Sequence, residues 1–450
     1  MAKQTNSIVH PRYGCSIGAA YTVLAINRAI PIINCSPGCV DKQYTMLSGE
    51  NGYQGAGYGG GGAIPSVNIG EKDVVFGAAK KLDDLVKSTL RIIDGDLFVV
   101  LSGCVSELIG DDVESVTRKY AEKGKPVIHS DVAGFKGNNL YGHEQVVIDI
   151  IDQFVGDYGK DEPKQKKLIN VFTEVPYFNT FWRGDYTEIK RILEGAGYTV
   201  NILFGIDSGG ISEWKTIPKA EYNIVLSPWV GLRIAEHLEK KYNTPYLHYP
   251  VIPIGEEATT EFIHNVLKFT KAGKTQVAKA NNFIAKEAQI YYYYLEHFAE
   301  FFAEFWFGLP SKFAIVSDAA YNIAITKFLA DQLGLIPLKA IITDNTPAKH
   351  RVHLQELYKN LTDGVSVDVD FIEDGYIIEQ EIEKVDFGSA MPFIFGTSWE
   401  ADVAAKRKAQ LIRIGTPITD RLVINKSYVG YRGALSLIET IYTASVGGQP

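Results

Sequence analysis

Short runs of apolar, β-branched residues alternate with amphipathic helical patterns along most of this chain. "DLFVVLSGC" (96–104) leads into "DDVESVTRKYAEKG", and "KLINVFTEV" (167–175) precedes "DYTEIKRILEGAG". "EYNIVLSPW" (221–229) precedes "VGLRIAEHLEKKY", and "KFAIVSD" (312–318) leads through "AAYNIAITKFLADQLG" to "LKAIITD". A strand that is apolar throughout must be covered on both faces, and helices between such strands supply the cover. The pattern predicts an α/β fold of mainly parallel sheets flanked by helices.

A chain of 450 residues exceeds what one core holds, since single cores rarely grow beyond roughly 250–300 residues. "GDYGKDEPKQKK" (156–167) is polar and rich in breakers, as a linker should be. The aromatic helical stretch "AQIYYYYLEHFAEFFAEFWFGLPSK" (288–312) separates a second strand–helix set from a third. Three Rossmann-like domains are therefore expected, over 1–165, 166–305 and 306–450. With 46% hydrophobic and 22% charged residues, the chain can build large cores.

The net charge of −8 argues against a nucleic-acid groove. No apolar run reaches the ~18–20 residues needed to span a bilayer, and the N-terminus has no apolar signal core. A cytoplasmic protein is expected. In that reducing compartment the four cysteines are not expected to form disulfides.

All four lie in the first quarter of the chain, at Cys15, Cys35, Cys39 and Cys104. Glycine directly precedes Cys15, Cys39 and Cys104, which leaves room for a bulky inorganic group near the backbone. Strand ends and helix starts are where ligand sites form in open α/β sheets. Thiolates placed there suit an iron–sulfur cluster. Cys35 as a fourth thiol keeps tetrahedral zinc open, and plain burial is the common fate of a free cysteine. A zinc-bound or cofactor-free α/β binding protein therefore stands as a competing reading.

"PRYGCSIGAAYTVLAI", "SPGCV", "EKDVVFGAAKKL" and "SGCVSELIGDDVESV" resemble the nitrogenase component 1 family. In order and context Cys15, Cys39 and Cys104 match the three cluster cysteines of that family. "LIRIGTPITDRL" and "SYVGYRGALSLIETI" resemble the end of its β-type chain, whereas "EKDVVFGAAKKL" and "AGFKGNNLYGHE" are nearer to the α-type. The resemblance implies a β-type subunit of a nitrogenase-like reductase. Cys15, Cys39 and Cys104 would hold half of a bridging iron–sulfur cluster, either a P-cluster-like eight-iron group or a four-iron one. An α-type chain would complete the cluster in a heterotetramer, with a homodimer as the fallback. An ATP-hydrolysing iron protein would supply electrons for a metal centre in the partner chain.

In nitrogenase proper the α-type chain binds the catalytic cofactor through a late Cys and a late His. Here no Cys follows Cys104 and no His follows His353. Where the β-type chain can carry an iron-binding serine, this chain has Gly134. These departures fit a nitrogenase-like enzyme with another substrate, such as a carbon–sulfur bond reductase of the methylthio-alkane reductase kind. A metallocluster-assembly scaffold is the alternative.

Other features carry blander expectations. Asp111 and Asp112 suit a helix start, and Glu107, three residues from Cys104, is placed either to support that thiol or to face a partner. The glycine-rich stretch 52–65 is a loop without the lysine of a phosphate-binding motif, and suits a cover over the cluster or a subunit contact. The aromatic helix around Tyr291–Tyr294 is expected to be buried between domains or subunits. His143 reads as a buried histidine, and 406–410 as a solvated helix face. No metal-binding histidine spacing and no serine-hydrolase motif is present.

Overall fold

A computed structural model describes residues 8–58, 64–305 and 310–446, the side chains of 301–305 and 363 excepted. Twelve strands are seen among these residues, in three wholly parallel sheets. The first sheet contains β1 (Ala29–Asn34), β2 (Leu97–Ser102) and β3 (Val127–Asp131), in that order. The second contains β4 (Gln165–Phe172), β5 (Thr199–Asn201), β6 (Ala220–Leu226) and β7 (Tyr246–Tyr249), ordered β5-β4-β6-β7. The third contains β8 (Lys312–Ser317), β9 (Ile336–Ile342), β10 (Val369–Phe371), β11 (Phe393–Gly396) and β12 (Gln410–Arg413), ordered β10-β9-β8-β11-β12.

The continuous apolar pattern has the expected consequence: every residue of β1 and β2 is buried. One large core runs through all three layers, from Ile17 to Tyr442, and smaller clusters cover the outer faces of the first and third sheets. The edge of β1 is covered by 64–69, where Ile33 N–H donates to Pro65 and Ile69 N–H to the Cys35 carbonyl. The start of the glycine-rich stretch is tied to the second layer: Arg183 donates to the Gln54 and Gly55 carbonyls, and Trp182 Nε1 to Gln54 Oε1. Residues 59–63 of that stretch lie outside the described residues.

The segment before Cys15 is fastened to the third layer. Arg12 forms a buried ion pair with Glu400 and stacks over Trp399, and Tyr13 donates to Glu373. The last helix, Gly430–Val446, returns to pack on helices Trp182–Gly195, Glu256–Phe269 and Lys274–Phe305.

The aromatic helix differs from expectation. It is 32 residues long, Lys274–Phe305, and only Tyr291 of its four tyrosines is buried; Tyr292, Tyr293 and Tyr294 are about half exposed. Four consecutive residues fan around a whole helical turn, so one buried face cannot take them all. Phe301, Phe302, Phe305, Trp306 and Phe307 have no described side chains. In 406–410 the helix ends at Arg407, Lys408 is left-handed and Gln410 opens β12, so this segment is a turn rather than a helix face.

Candidate metal centre

The register of the first sheet brings the site together. Asn34 pairs with Ser102, and Ser102 with Asp131, so the three strands end level. The next residues of each chain segment are Cys35, Gly103 with Cys104, and Val132 to Gly134. Helix Pro37–Gly49 starts directly after β1 and carries Cys39 in its first turn. Helix Cys104–Ile109 starts directly after β2 and is closed by Gly110 in the left-handed region, where a residue without a Cβ is favoured.

Cys15 reaches this edge from a separate segment. It forms an antiparallel bridge with Asn138, Asn139 N–H donates to the Gly14 carbonyl at 3.0 Å, and Gly14 N–H donates to Asn139 Oδ1 at 2.9 Å. Ser16 Oγ donates to the Val132 and Ala133 carbonyls, at 2.6 and 2.7 Å. The loop 132–139 is thereby clamped under Cys15.

Gly134 lies between two of the thiols. A Cβ on it would stand 3.3 Å from Cys104 Sγ and 3.9 Å from Cys15 Sγ. Its N–H donates to Cys104 Sγ at 3.0 Å. Glu107 fixes the arrangement: Oε1 accepts from Ala133 N–H at 3.1 Å, and Oε2 pairs with Lys136 at 2.7 Å. The expected supporting role of Glu107 thus has a geometry, a tie between the Cys104 helix and the Gly134 loop. Asp112 caps helix Val113–Ala121 by accepting from Ser115 N–H at 3.0 Å. Asp111 accepts from Ala78 N–H instead, at the start of another helix.

Cys39 Sγ lies 3.3 Å from Cys35 Sγ and donates to it. Cys35 is wholly buried, whereas Cys15, Cys39 and Cys104 are partly exposed. The space above Cys35 is the absent side chain of Gly103, where a Cβ would lie 2.5 Å from the Cys35 sulfur. The three glycines that precede cysteines therefore differ. Gly38 has nothing within 4 Å of its Cβ position, Gly14 meets only ordinary contacts, and Gly103 makes room for a protein sulfur rather than an inorganic group.

The charges follow from these contacts. The Cys39 thiol, with backbone N–H groups of Val105 and Ser36, holds Cys35 down to about 5, and Cys39 is raised in return. Burial raises Cys15, against the pull of Lys42. His143 is buried beside Thr22 Oγ1, 2.8 Å away, and burial lowers it to about 3, which fits a packed neutral imidazole. Among the described residues no group of three or more His, Cys, Asp or Glu side chains is arranged to hold a metal ion by itself.

The rim around the thiols is apolar and exposed. Leu108, on the Cys104 helix, is 75% exposed, Phe135, beside Gly134, is 60%, and Phe76, on the adjoining helix Glu71–Phe76, is 86%. No helix among the described residues is long and apolar enough to cross a membrane.

A parallel α/β fold in three sheets, with thiols gathered at one strand edge, agrees with a family model described as nitrogenase component 1 type oxidoreductase, which matches residues 15–445. The chain belongs to that family. It is similar to the nitrogenase vanadium-iron protein beta chain of Trichormus variabilis, 25% identical over 98% of this chain and 95% of that one. It is also similar to a chain of the light-independent protochlorophyllide reductase of Angiopteris evecta, 24% identical over 82% of this chain and 71% of the other. A solved structure of nitrogenase Cp1 at pH 6.5 shares the fold, with a TM-score of 0.77 and 22% identity over 99% of this chain and 95% of that one. Within the family the chain is of the β-type, an oxidoreductase subunit of nitrogenase-like kind.

Proposed function

We propose that Cys15, Cys39 and Cys104 hold one half of an iron–sulfur cluster, and that an α-type partner chain supplies the other half in a heterotetramer served by an ATP-hydrolysing iron protein. One observation carries this reading. Three partly exposed thiols converge from separate segments onto the C-terminal edge of one sheet, inside a rim of exposed apolar side chains. The thiols fit the group: their chemistry is that of cluster ligands, and the loop between two of them is pared to Gly134. A four-iron core takes about four thiolates, so three from this chain call for donors from a second one. The names of the β-chain relatives support the same assembly.

Bound there, a cluster supplies one-electron redox chemistry. The chain's own groups set its surroundings. The Gly134 N–H stabilises negative charge on Cys104, the Glu107–Lys136 pair holds the loop still, and Lys42 brings positive charge toward Cys15. Leu108, Phe135 and Phe76 exclude water once a partner covers them.

The test is anaerobic co-expression with the α-type chain, followed by iron and sulfide analysis, electron paramagnetic resonance and light scattering. A heterotetramer with a cluster signal that reduced iron protein can reduce supports the proposal. Cluster binding by the monomer would overturn it, and a cluster-loaded homodimer would replace the α-type chain with a second copy.

A further inference from the structure

Cys35 is the one thiol that the cluster proposal leaves unused. It immediately precedes Ser36, the N-cap of helix Pro37–Gly49, and Cys39 is the third residue of that helix. Both sulfurs face Ser36 Oγ, at 4.0 and 3.8 Å, and lie 3.3 Å from each other. A disulfide needs ~2.05 Å between the sulfurs, so a side-chain rotation of modest size brings them into bonding range. Cys35 cannot supply that motion, because it is wedged beneath Gly103. Cys39 can: it is partly exposed, and the neighbouring Gly38 has open space around it.

We propose that, whenever no cluster is bound, Cys35 and Cys39 act as an oxidation-sensitive dithiol that closes to an internal disulfide by exchange with a low-molecular-weight disulfide and reopens on reduction. Exposure sets the order of steps. Glutathione disulfide reaches the exposed Cys39, whose sulfur attacks one of its sulfurs while the Cys39 proton passes to the departing glutathione; that S–S bond breaks and the first glutathione leaves. The buried Cys35 thiolate then attacks the Cys39 sulfur of the mixed disulfide and releases the second glutathione. Two protein thiols have lost two protons and two electrons, and one glutathione disulfide has become two glutathione molecules. Cys35 is thus the resolving thiol. If Cys39 is also a cluster ligand, as proposed above, the closed form cannot be loaded with iron until it is reduced; this consequence alone rests on that reading.

Full-length protein stripped of iron is freed of reductant, incubated with glutathione disulfide and mapped by non-reducing peptide mass spectrometry. The peptide containing both cysteines should lose two hydrogens and regain them with dithiothreitol. Cys35→Ser should instead keep a stable glutathione adduct on Cys39. Cys39→Ser should carry no glutathione on Cys35, because Cys35 is buried. Wild-type protein that keeps Cys35 and Cys39 free, or that carries a lasting glutathione adduct on Cys39, overturns the proposal, as does an adduct on Cys35. Iron and sulfide reconstitution of the oxidised protein is read separately. Undiminished uptake with the disulfide intact would refute Cys39 as a cluster ligand and leave the disulfide standing.

Discussion

The first sheet ends in thiols at an open edge, whereas the second and third sheets end in carboxylates inside the protein. Glu174 follows β4, Asp318 follows β8 and Asp344 follows β9; Glu174 and Asp344 are buried and Asp318 is partly so, around a cavity of about 20 Å³. That space holds about one water molecule. Trp229 and Phe178 fill the rest, and Trp229 Nε1 donates to Asp344 Oδ2 at 3.4 Å. Glu174 Oε2 accepts from no N–H or O–H group, and its neighbour Asp185 already accepts from Tyr321 and Ser427, both at 2.6 Å. Burial first, and then Asp185, raise Glu174 well above the usual carboxylate range, and burial raises Asp185 as well, to about 6. Open α/β sheets concentrate polar groups at the carboxyl ends of their strands. Here one set of ends is left for a partner to cover, and the other is packed shut as a structural joint.

The sharpest way to break this contrast is to remove one group from each region. Cys104→Ala should abolish electron delivery from the iron protein and sharply lower the iron content. Unfolding stability should change by no more than about 1 kcal/mol, because β2 draws its burial from Leu97–Ser102 and not from the thiol. Electron flux that survived the change would show Cys104 to be a packing thiol. At the other centre, Trp229→Ala should cost about 3–5 kcal/mol in urea unfolding and leave the iron content per folded molecule intact. Iron loss in that variant would mean that the two regions are coupled.

A smaller effect separates the regions by pH. Burial, and then the charge of Asp344, raise Asp318 to about 7, and burial raises Asp344 as well. Both carboxyls bind protons more tightly when folded than at the ~4 of an unfolded chain. Their contribution to stability is complete below pH ~4 and is lost as pH rises through about 7. Asp318→Asn removes the titration but keeps the helix cap, which accepts from Ala320 and Tyr321 N–H. Unfolding curves between pH 5 and 8 should show a shallower decline in this variant, by on the order of 2 kcal/mol across the range. Identical slopes in the two proteins would remove the proton from the joint.

The two regions were not equally legible in the sequence. Strands such as "LFVVLS" announce themselves because a run apolar on both faces has few other uses, and three cysteines set beside glycines drew attention to the open edge. The carboxylate joint had a visible signal too, the repeated strand-then-aspartate of "IVSD" and "IITD". An aspartate after a strand reads equally well as a helix cap, however, and Asp318 is one. That it also faces Asp344 and the Trp229 cavity depends on how separate strands meet. The Cys35–Cys39 contact was hidden for a related reason. A spacing of four residues does not reveal that β1 hands over to a helix between them, which turns the two sulfurs together.

The smallest expected effect tests how far the open edge extends. Cys35 belongs to it by sequence and distance, but by burial it belongs to the core. Its sulfur accepts backbone N–H groups from Ser36 and Val105 and sits under Gly103. A serine hydroxyl in its place is smaller and can accept the same donors, so Cys35→Ser should cost no more than about 1 kcal/mol. Under reducing, anaerobic conditions the iron content should stay near that of the wild type, whereas Cys39→Ser should lower it sharply. Equal iron loss in the two variants would place Cys35 among the ligands, and the site would then hold four thiols from this chain, the number that a structural zinc ion takes. Metal analysis that found zinc in place of iron and sulfide would complete that reversal and move the chemistry of the edge from electron transfer to structure.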